Sequence, residues 1–192
     1  MTVPMKKTPT TYVALLRGIN VGGKNRILMA ELRTMFESLG HREVRTFIQS
    51  GNVIFRSDSI VRSDDLETAI TTRFDIVTRI IIRTAQQMAT AVHRDPFPGA
   101  DLTRLHVGFL SQEPANDAVA GLELEQFAPN QAYVVGSDVY LYLPSGMARN
   151  KLPTYVDRRL KSSMTVRHWN TVNGLHALTS ERAASHDTRR SV

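Results

Sequence analysis

The chain has 192 residues, of which 42% are hydrophobic and 22% charged, a composition ordinary for a globular protein. It contains no cysteine, which excludes disulfides, thiolate metal sites and thiol nucleophiles. No apolar run approaches the roughly 18 residues that a membrane helix needs, and the amino terminus lacks the pattern of a secretory signal. We therefore expect a cytoplasmic protein without a membrane partner.

The formal net charge is +6 and the pI is near 10.0, values that suggest a nucleic-acid partner. Half of this charge lies in two terminal segments that we predict to be mobile, residues 1–11 with +2 and residues 185–192 with +1. The remaining +3 over residues 12–184 is common among globular proteins. The basic character alone therefore does not identify a partner.

The first half of the chain alternates strand and helix patterns. A short apolar run at 12–17 predicts a buried strand, and apolar residues at helical spacing predict a helix that ends at Gly40. Alternating residues then predict a hairpin around Ser50-Gly51-Asn52. There follow a helix opening at Asp64 and Asp65, a strand over Ile76–Arg83, and a short helix that ends before Pro96.

The second half repeats this order. We predict a strand through Leu105 and Phe109, a helix after Pro114, a hairpin around Gly136-Ser137-Asp138, a helix over 152–160, a strand over 164–168 and a helix over 172–183. A shift of 86 positions aligns Asn52 with Asp138 and Leu66 with Leu152. The predicted fold is therefore α+β, with two ferredoxin-like halves (βαββαβ plus one extra helix) in tandem as an internal pseudo-repeat, at 12–95 and 96–184.

Two motifs are distinctive: Tyr12–Asn25 (YVALLRGINVGGKN) followed by Met29–Arg33, and Ile48–Phe55 (IQSGNVIF). Together they closely resemble the domain of unknown function 1697 family, small proteins found mainly in bacteria. The resemblance continues through Asn150–Leu152 and Arg167–Val172, and thus covers nearly the whole chain. It implies two ferredoxin-like halves and brings no established activity.

The loop Gly18–Asn25 is one substitution from a phosphate-binding P-loop, because Asn25 stands where that motif has Ser or Thr. Its candidate ligand-binding residues are Arg17, Asn20, Lys24 and Asn25. Against a P-loop, the helix pattern begins near Met29, and the predicted sheet is not parallel. The alternative is a crossover loop shaped by packing, with Lys24 in solvent.

Two further segments carry candidate ligand-binding residues, each with a structural alternative. Gln49, Ser50 and Asn52 could read the polar edge of a ligand, although tight turns also require Gly and Asn. Arg149 and Lys151 flank Asn150, which could instead cap the following helix. Arg167 could bind an anion, or pack beside Trp169.

Metal chemistry finds little support, because the six histidines lack ligand spacing and no cysteine assists them. We expect neither metal nor cofactor. The first functional hypothesis is a binding protein for a phosphate-bearing small molecule or nucleic acid, with basic residues as anion contacts. The second is a metal-independent enzyme of unknown reaction in which Arg17 or Lys24 stabilises negative charge. A protein-interaction module is the third, and the sequence leaves the oligomeric state open.

Overall fold

The structure is a computed structural model that describes residues 9–187, and side chains through residue 181. Within that range the chain is a mixed α+β protein with six α-helices and two four-stranded antiparallel sheets. It divides into two compact units, the first ending at Ala85 and the second beginning at Gln86. Each unit contains one sheet.

The first unit has the strand order β2-β3-β1-β4. Its elements are β1 (Thr10–Leu16), α1 (Met29–Ser38), β2 (Arg42–Phe47), β3 (Asn52–Ser57), α2 (Ser63–Phe74) and β4 (Ile80–Thr84).

The second unit has the corresponding order β6-β7-β5-β8. Its elements are α3 (Ala85–His93), β5 (Leu105–Leu110), α4 (Asn116–Ala120), β6 (Gln131–Val135), β7 (Asp138–Tyr142), α5 (Leu152–Arg159), β8 (Met164–His168) and α6 (Trp169–Asp187). Two short 3-10 turns precede β5 and β6, at Leu102–Arg104 and Glu125–Phe127.

Helices α1 and α2 share one apolar core with the first sheet. This core includes Leu32 and Phe36 of α1, Leu66 of α2, and Phe55 of β3. Residues two apart on a strand point to the same face, which is why alternate residues of β1 and β3 contribute to this core. Leu28 fits the same helical spacing but precedes α1 and is 67% exposed.

The strand predicted over Ile76–Arg83 is shorter in the structure and begins at Ile80. Its neighbour β1 ends at Leu16, and beyond it Arg17 N donates to Arg79 O at 2.9 Å while Thr78 Oγ1 donates to Arg17 O at 2.6 Å. The backbone N–H of Ile80 donates to the carboxylate of Glu67 in α2 at 2.8 Å, and Val77 is 86% exposed. The run of β-branched residues therefore predicted that this segment forms a strand. It did not predict the residue at which the strand begins, because that depends on where the neighbouring strand β1 ends.

The two units repeat one hydrogen-bonding scheme where their first strands end. Leu16 N donates to Gly51 O and Leu110 N to Ser137 O, both at 2.9 Å. The connections differ: residues 17–28 join β1 to α1, whereas residues 111–115 join β5 to α4. The longer glycine-rich loop is therefore a feature of the first unit alone.

The ends of the two predicted halves differ from those of the units. Helix α3 lies in the second unit from its second residue onwards, whereas we predicted it from the sequence as part of the first half. The predicted tails at 1–11 and 185–192 overlap β1 and α6, while residues 1–8 and 188–192 lie outside the described residues. In the described part of the chain, no helix has the length and apolarity to cross a membrane.

Candidate functional site

The loop after β1 forms a miniature hairpin. Gly22 and Gly23 have φ of +59° and +77°, as a type I′ turn requires, and Val21 and Lys24 form an isolated antiparallel bridge. The N–H of Lys24 donates to Val21 O at 3.1 Å. In a P-loop this amide would face phosphate, and the following helix would start here rather than at Met29. The loop therefore differs from a P-loop in its backbone geometry.

Asn20 ties this loop to the turn between β2 and β3. Its side-chain Nδ2 donates to Ile27 O at 3.0 Å and to Gln49 O at 2.9 Å, and its Oδ1 accepts from Ile27 N at 2.9 Å. Asn25 Nδ2 donates to Gly18 O at 3.1 Å. Both asparagines thus hold the loop in shape. We call the loop of residues 17–28 and the turn of residues 48–51, joined in this way, the Asn20 junction.

The turn has its own internal support. Asn52 is fully buried, and its Nδ2 donates to Phe47 O at 3.0 Å and to Ser50 Oγ at 2.9 Å. Gly51 has φ of +73°, and a Cβ there would lie 2.7 Å from side-chain atoms of Ile19. Gln49 is exposed beside this framework. The structure therefore brings two of the predicted segments together, the loop Gly18–Asn25 and the turn that contains Gln49. The buried side chain of Asn52 supports that turn through its hydrogen bonds.

Arg149 and Lys151 line a cleft of about 560 Å³ in the second unit. We call it the α5 cleft. The other residues that line it are Gln126, Phe127, Asn150, Thr154, Tyr155, Arg158 and Arg159. Four of these described residues are cationic and none is a carboxylate. The cleft is thus a concave surface of positive charge.

The sequence around α5 explains how these side chains converge. Lys151, Tyr155 and Arg159 are spaced four residues apart and therefore lie on one side of the helix. Asn150 fixes the entry into α5: its Nδ2 donates to Gly146 O at 2.9 Å, and its Oδ1 accepts from Leu152 N at 3.1 Å. Asn150 thus supports the chain just before α5, whose N-cap residue is Lys151. This arrangement leaves the flanking Arg149 and Lys151 exposed.

Two aromatic rings form the floor of the α5 cleft. The Phe127 and Tyr155 ring centroids are 4.8 Å apart, and the guanidinium of Arg159 lies 5.9 Å from that of Tyr155. The hydroxyl of Tyr155 accepts from Glu123 N at 3.0 Å, and Arg159 Nη2 donates to Gly121 O at 2.8 Å. These bonds position the floor between α5 and the turn before β6.

Two neighbouring cavities show how far the cationic lining of the α5 cleft extends. One of about 350 Å³ shares Arg149, Asn150 and Lys151 with it and continues to Asn130 and Ser145. Another of about 600 Å³ lies beside α4, where carboxylates join the lining cations: Glu113, Asp117, Arg158, Arg159 and Lys161. The charged residues of the lining are therefore all cationic near Arg149 and Lys151, whereas carboxylates are present beside α4.

Arg167 lies elsewhere in the second unit. It is buried in β8, where its Nη1 donates to Thr165 Oγ1 at 2.8 Å and to Val166 O at 3.0 Å. Burial lowers the pKa of Arg167 to about 10, so it remains a cation at neutral pH. Arg83 is buried at the corresponding position of β4, opposite Val13 as Arg167 is opposite Val107. Arg167 is thus part of a repeated framework and does not line the α5 cleft.

Six residues that line the cleft were not predicted from the sequence: Gln126, Phe127, Thr154, Tyr155, Arg158 and Arg159. The last four were visible in principle, since a predicted helix carried them within two turns of Lys151. Phe127 could not be found, because it comes from a separate turn before β6. Among the described side chains, no group of three His, Asp or Glu residues is placed to hold a metal ion.

A family model described as a protein of unknown function (DUF1697) matches residues 10–140. Among solved structures, the chain is similar to the conserved bacterial protein SP0830 from Streptococcus pneumoniae, with a TM-score of 0.68 and 24% sequence identity over 90% of this chain and 99% of that one. That likeness shows the fold. No curated protein matches the chain. By its sequence, the chain belongs to the DUF1697 family of proteins of unknown function.

Proposed function

We propose that this chain binds a phosphate-bearing small molecule in the α5 cleft. The observation that carries the proposal is the charge of the lining: Arg149, Lys151, Arg158 and Arg159 face one concave space, with no carboxylate among the described residues that line it. Neighbouring cations repel one another, and an anion between them removes that cost.

The chemistry of the side chains suits phosphate. Guanidinium groups donate paired hydrogen bonds to phosphate oxygens, while a lysine contributes a compact charge. Hydrogen bonds to charged groups contribute about 1.5–3 kcal/mol each, and those in an open cleft fall at the lower end. Two or three such contacts, about 3–4.5 kcal/mol in all, would hold a phosphate in about the millimolar range.

The dimensions and floor of the cleft favour a small molecule over an extended polymer. Its volume of about 560 Å³ lies within the range typical of small-molecule sites. The rings of Phe127 and Tyr155 offer an apolar surface for a sugar or ring attached to the phosphate. Nucleic acid is the alternative ligand, and it would show a strong loss of affinity with rising salt.

We also propose that each unit has a ferredoxin-like fold. In each unit a βαββαβ order with the sheet order β2-β3-β1-β4, or β6-β7-β5-β8, supports a ferredoxin-like arrangement. A chain without cysteine has no disulfides, and proteins of the cytoplasm do not rely on disulfides for stability. This composition therefore supports a cytoplasmic location.

Thermal unfolding in the presence of inorganic pyrophosphate, sugar phosphates, nucleoside diphosphates and a short oligonucleotide tests the proposal. A ligand at about a hundred times its Kd stabilises by about 2.7 kcal/mol, which should raise the Tm by about 5–10 °C. We expect a shift from a small phosphate ligand that persists at high salt. Shifts that vanish in salt across the whole panel, or no shift, would contradict it.

Matched alanine variants locate the site. Lys151→Ala and Arg149→Ala should weaken binding by about tenfold or more, because each removes a charged contact. Lys24→Ala removes an exposed lysine from the first unit and should leave binding unchanged. The opposite pattern would place the anion in the loop after β1 and overturn the assignment to the α5 cleft.

A further inference from the structure

The turn between β2 and β3 contains an isoleucine in a conformation that isoleucine disfavours. Ile48 has φ of +51°, in the left-handed region, and its side chain is 50% exposed. A β-branched residue clashes with its own backbone there, whereas Gly or Asn adopts it readily. Half of this residue remains exposed, so burial of apolar surface offsets the strain only in part. Backbone strain of this kind is a feature of functional surfaces.

Two more exposed aliphatic residues belong to the same Asn20 junction. Val21 is 64% exposed and follows Asn20 directly, and Leu28 is 67% exposed and follows Ile27. Asn20 contacts Ile27 and Gln49 simultaneously, and Ile48 precedes Gln49. Since consecutive Cα atoms are about 3.8 Å apart, each of the three exposed aliphatic residues starts next to one residue of this hydrogen-bonded hub.

The two segments that form this patch carry positive charge only, and Glu31 in the first turn of α1 is the acidic residue that follows Leu28. Residues 10–30 and 44–57, which contain both segments of the junction, include no Asp or Glu. Lys24, Arg26 and Arg45 are exposed within them. An apolar centre with a charged rim is the usual anatomy of a protein-binding surface, and the sign of this rim specifies an acidic partner.

We propose that the Asn20 junction is a docking surface for an acidic protein segment that carries aliphatic side chains. Val21, Leu28 and Ile48 contact the aliphatic side chains of that segment, and Lys24 and Arg26 pair with its carboxylates. None of the three exposed apolar side chains is aromatic, which disfavours base stacking with single-stranded nucleic acid. The surface is built on short hydrogen-bonded loops, unlike the long amphipathic helices that lie on membranes. The inference is independent of the α5 cleft.

A random peptide library displayed on phage provides the probe. Selection on the wild-type chain, without depletion on any variant, should enrich peptides in which Asp or Glu flanks Leu, Ile or Val. The enriched peptide, made synthetically, should bind Ile48→Asn and Lys24→Glu about tenfold or more weakly than wild type. Ile60→Asn, which changes an isoleucine 81% exposed outside the junction, should bind like wild type.

Folding and binding are separable in this experiment. Asn suits the left-handed conformation, so Ile48→Asn should melt no lower than wild type while losing the peptide. Val21→Ser is a second variant, at a position with ordinary backbone geometry, and should also lose it. Enrichment of basic or aromatic peptides, or equal binding by Ile48→Asn, would overturn the proposal. So would binding to phosphatidylserine–phosphatidylcholine vesicles that Ile48→Asn abolishes.

Discussion

The side-chain amide of Asn20 donates a hydrogen bond to the backbone carbonyl of Gln49 at 2.9 Å. This bond crosses 29 residues of sequence and joins the glycine-rich loop after β1 to the turn between β2 and β3. The two most distinctive sequence motifs of the chain therefore form one local structure. Their unusual residue types are explained in part by the contacts that hold this structure together.

Replacing Asn20 by alanine should lower the free energy of unfolding by about 2–3 kcal/mol, because three hydrogen bonds are lost and alanine disfavours the left-handed conformation of this residue. Asn25→Ala is a matched control: Asn25 is also left-handed but makes one such bond to Gly18. Its cost should be about 1–2 kcal/mol. Urea unfolding of both variants measures the difference, and equal losses would show that the additional bonds of Asn20 to Ile27 and Gln49 contribute nothing.

Gly51→Ala should destabilise the chain by more than Gly23→Ala. Both glycines are left-handed, with φ of +73° and +77°, so the backbone penalty of about 1–2 kcal/mol is shared. A Cβ at Gly51 would meet Ile19 at 2.7 Å, whereas one at Gly23 would have open space. Overpacking adds about 1–3 kcal/mol. Thermal unfolding of the pair isolates the steric part, and a smaller loss at Gly51 would contradict the close approach.

Local patterns predicted the elements well, because periodicity and turn residues act over a few positions. Helix α1, the two hairpins and β8 at 164–168 follow from such patterns. The repeat also emerged from the sequence, since β3 and β7 begin 86 residues apart at Asn52 and Asp138. The first residue of β4 could not be predicted from the sequence, because the limits of a strand depend on where its partner strand ends.

The candidate sites were predicted only in fragments. Arg149 and Lys151 were visible as a basic pair before a helix, but the ring pair of Phe127 and Tyr155 joins residues 28 apart and leaves no sequence signal. The role of Asn20 was likewise hidden, because a side chain that bonds to a distant carbonyl looks the same in sequence as one that binds a ligand. Sequence periodicity shows which residues share a face of one helix or strand. A binding site combines residues from several such elements.

Two substitutions at Tyr155 should separate stability from binding in the α5 cleft. Tyr155→Phe keeps the ring against Phe127 but removes the acceptor for Glu123 N, so it should cost about 1 kcal/mol of stability and leave affinity for phosphate ligands unchanged. Tyr155→Ala removes the floor beneath Arg159 and should weaken a nucleoside diphosphate more than inorganic pyrophosphate. Isothermal titration calorimetry measures both, and equal effects on the two ligands would exclude a role for the ring.

The stability of the second unit should depend on pH through His106. Burial lowers the pKa of His106 below its ordinary value of 6.5, and the positive charge of His168, whose ring centroid is 5.0 Å away, lowers it further; a hydrogen bond to Arg104 O opposes both. The unfolded chain therefore binds a proton at this site more readily than the folded chain does. The stability that neutral His106 contributes is fully present above about pH 6.5. It is lost as the pH falls below 6.5 towards the pKa of His106 in the folded chain.

Urea unfolding between about pH 7.5 and 5.5 should show this loss in the wild-type chain, and His106→Gln should reduce its slope because glutamine takes up no proton in this range. His41, whose pKa burial also lowers, contributes in the same direction, so some slope should survive in His106→Gln. A slope that is identical in wild type and His106→Gln would mean that His106 is protonated as easily in the folded chain as in the unfolded one.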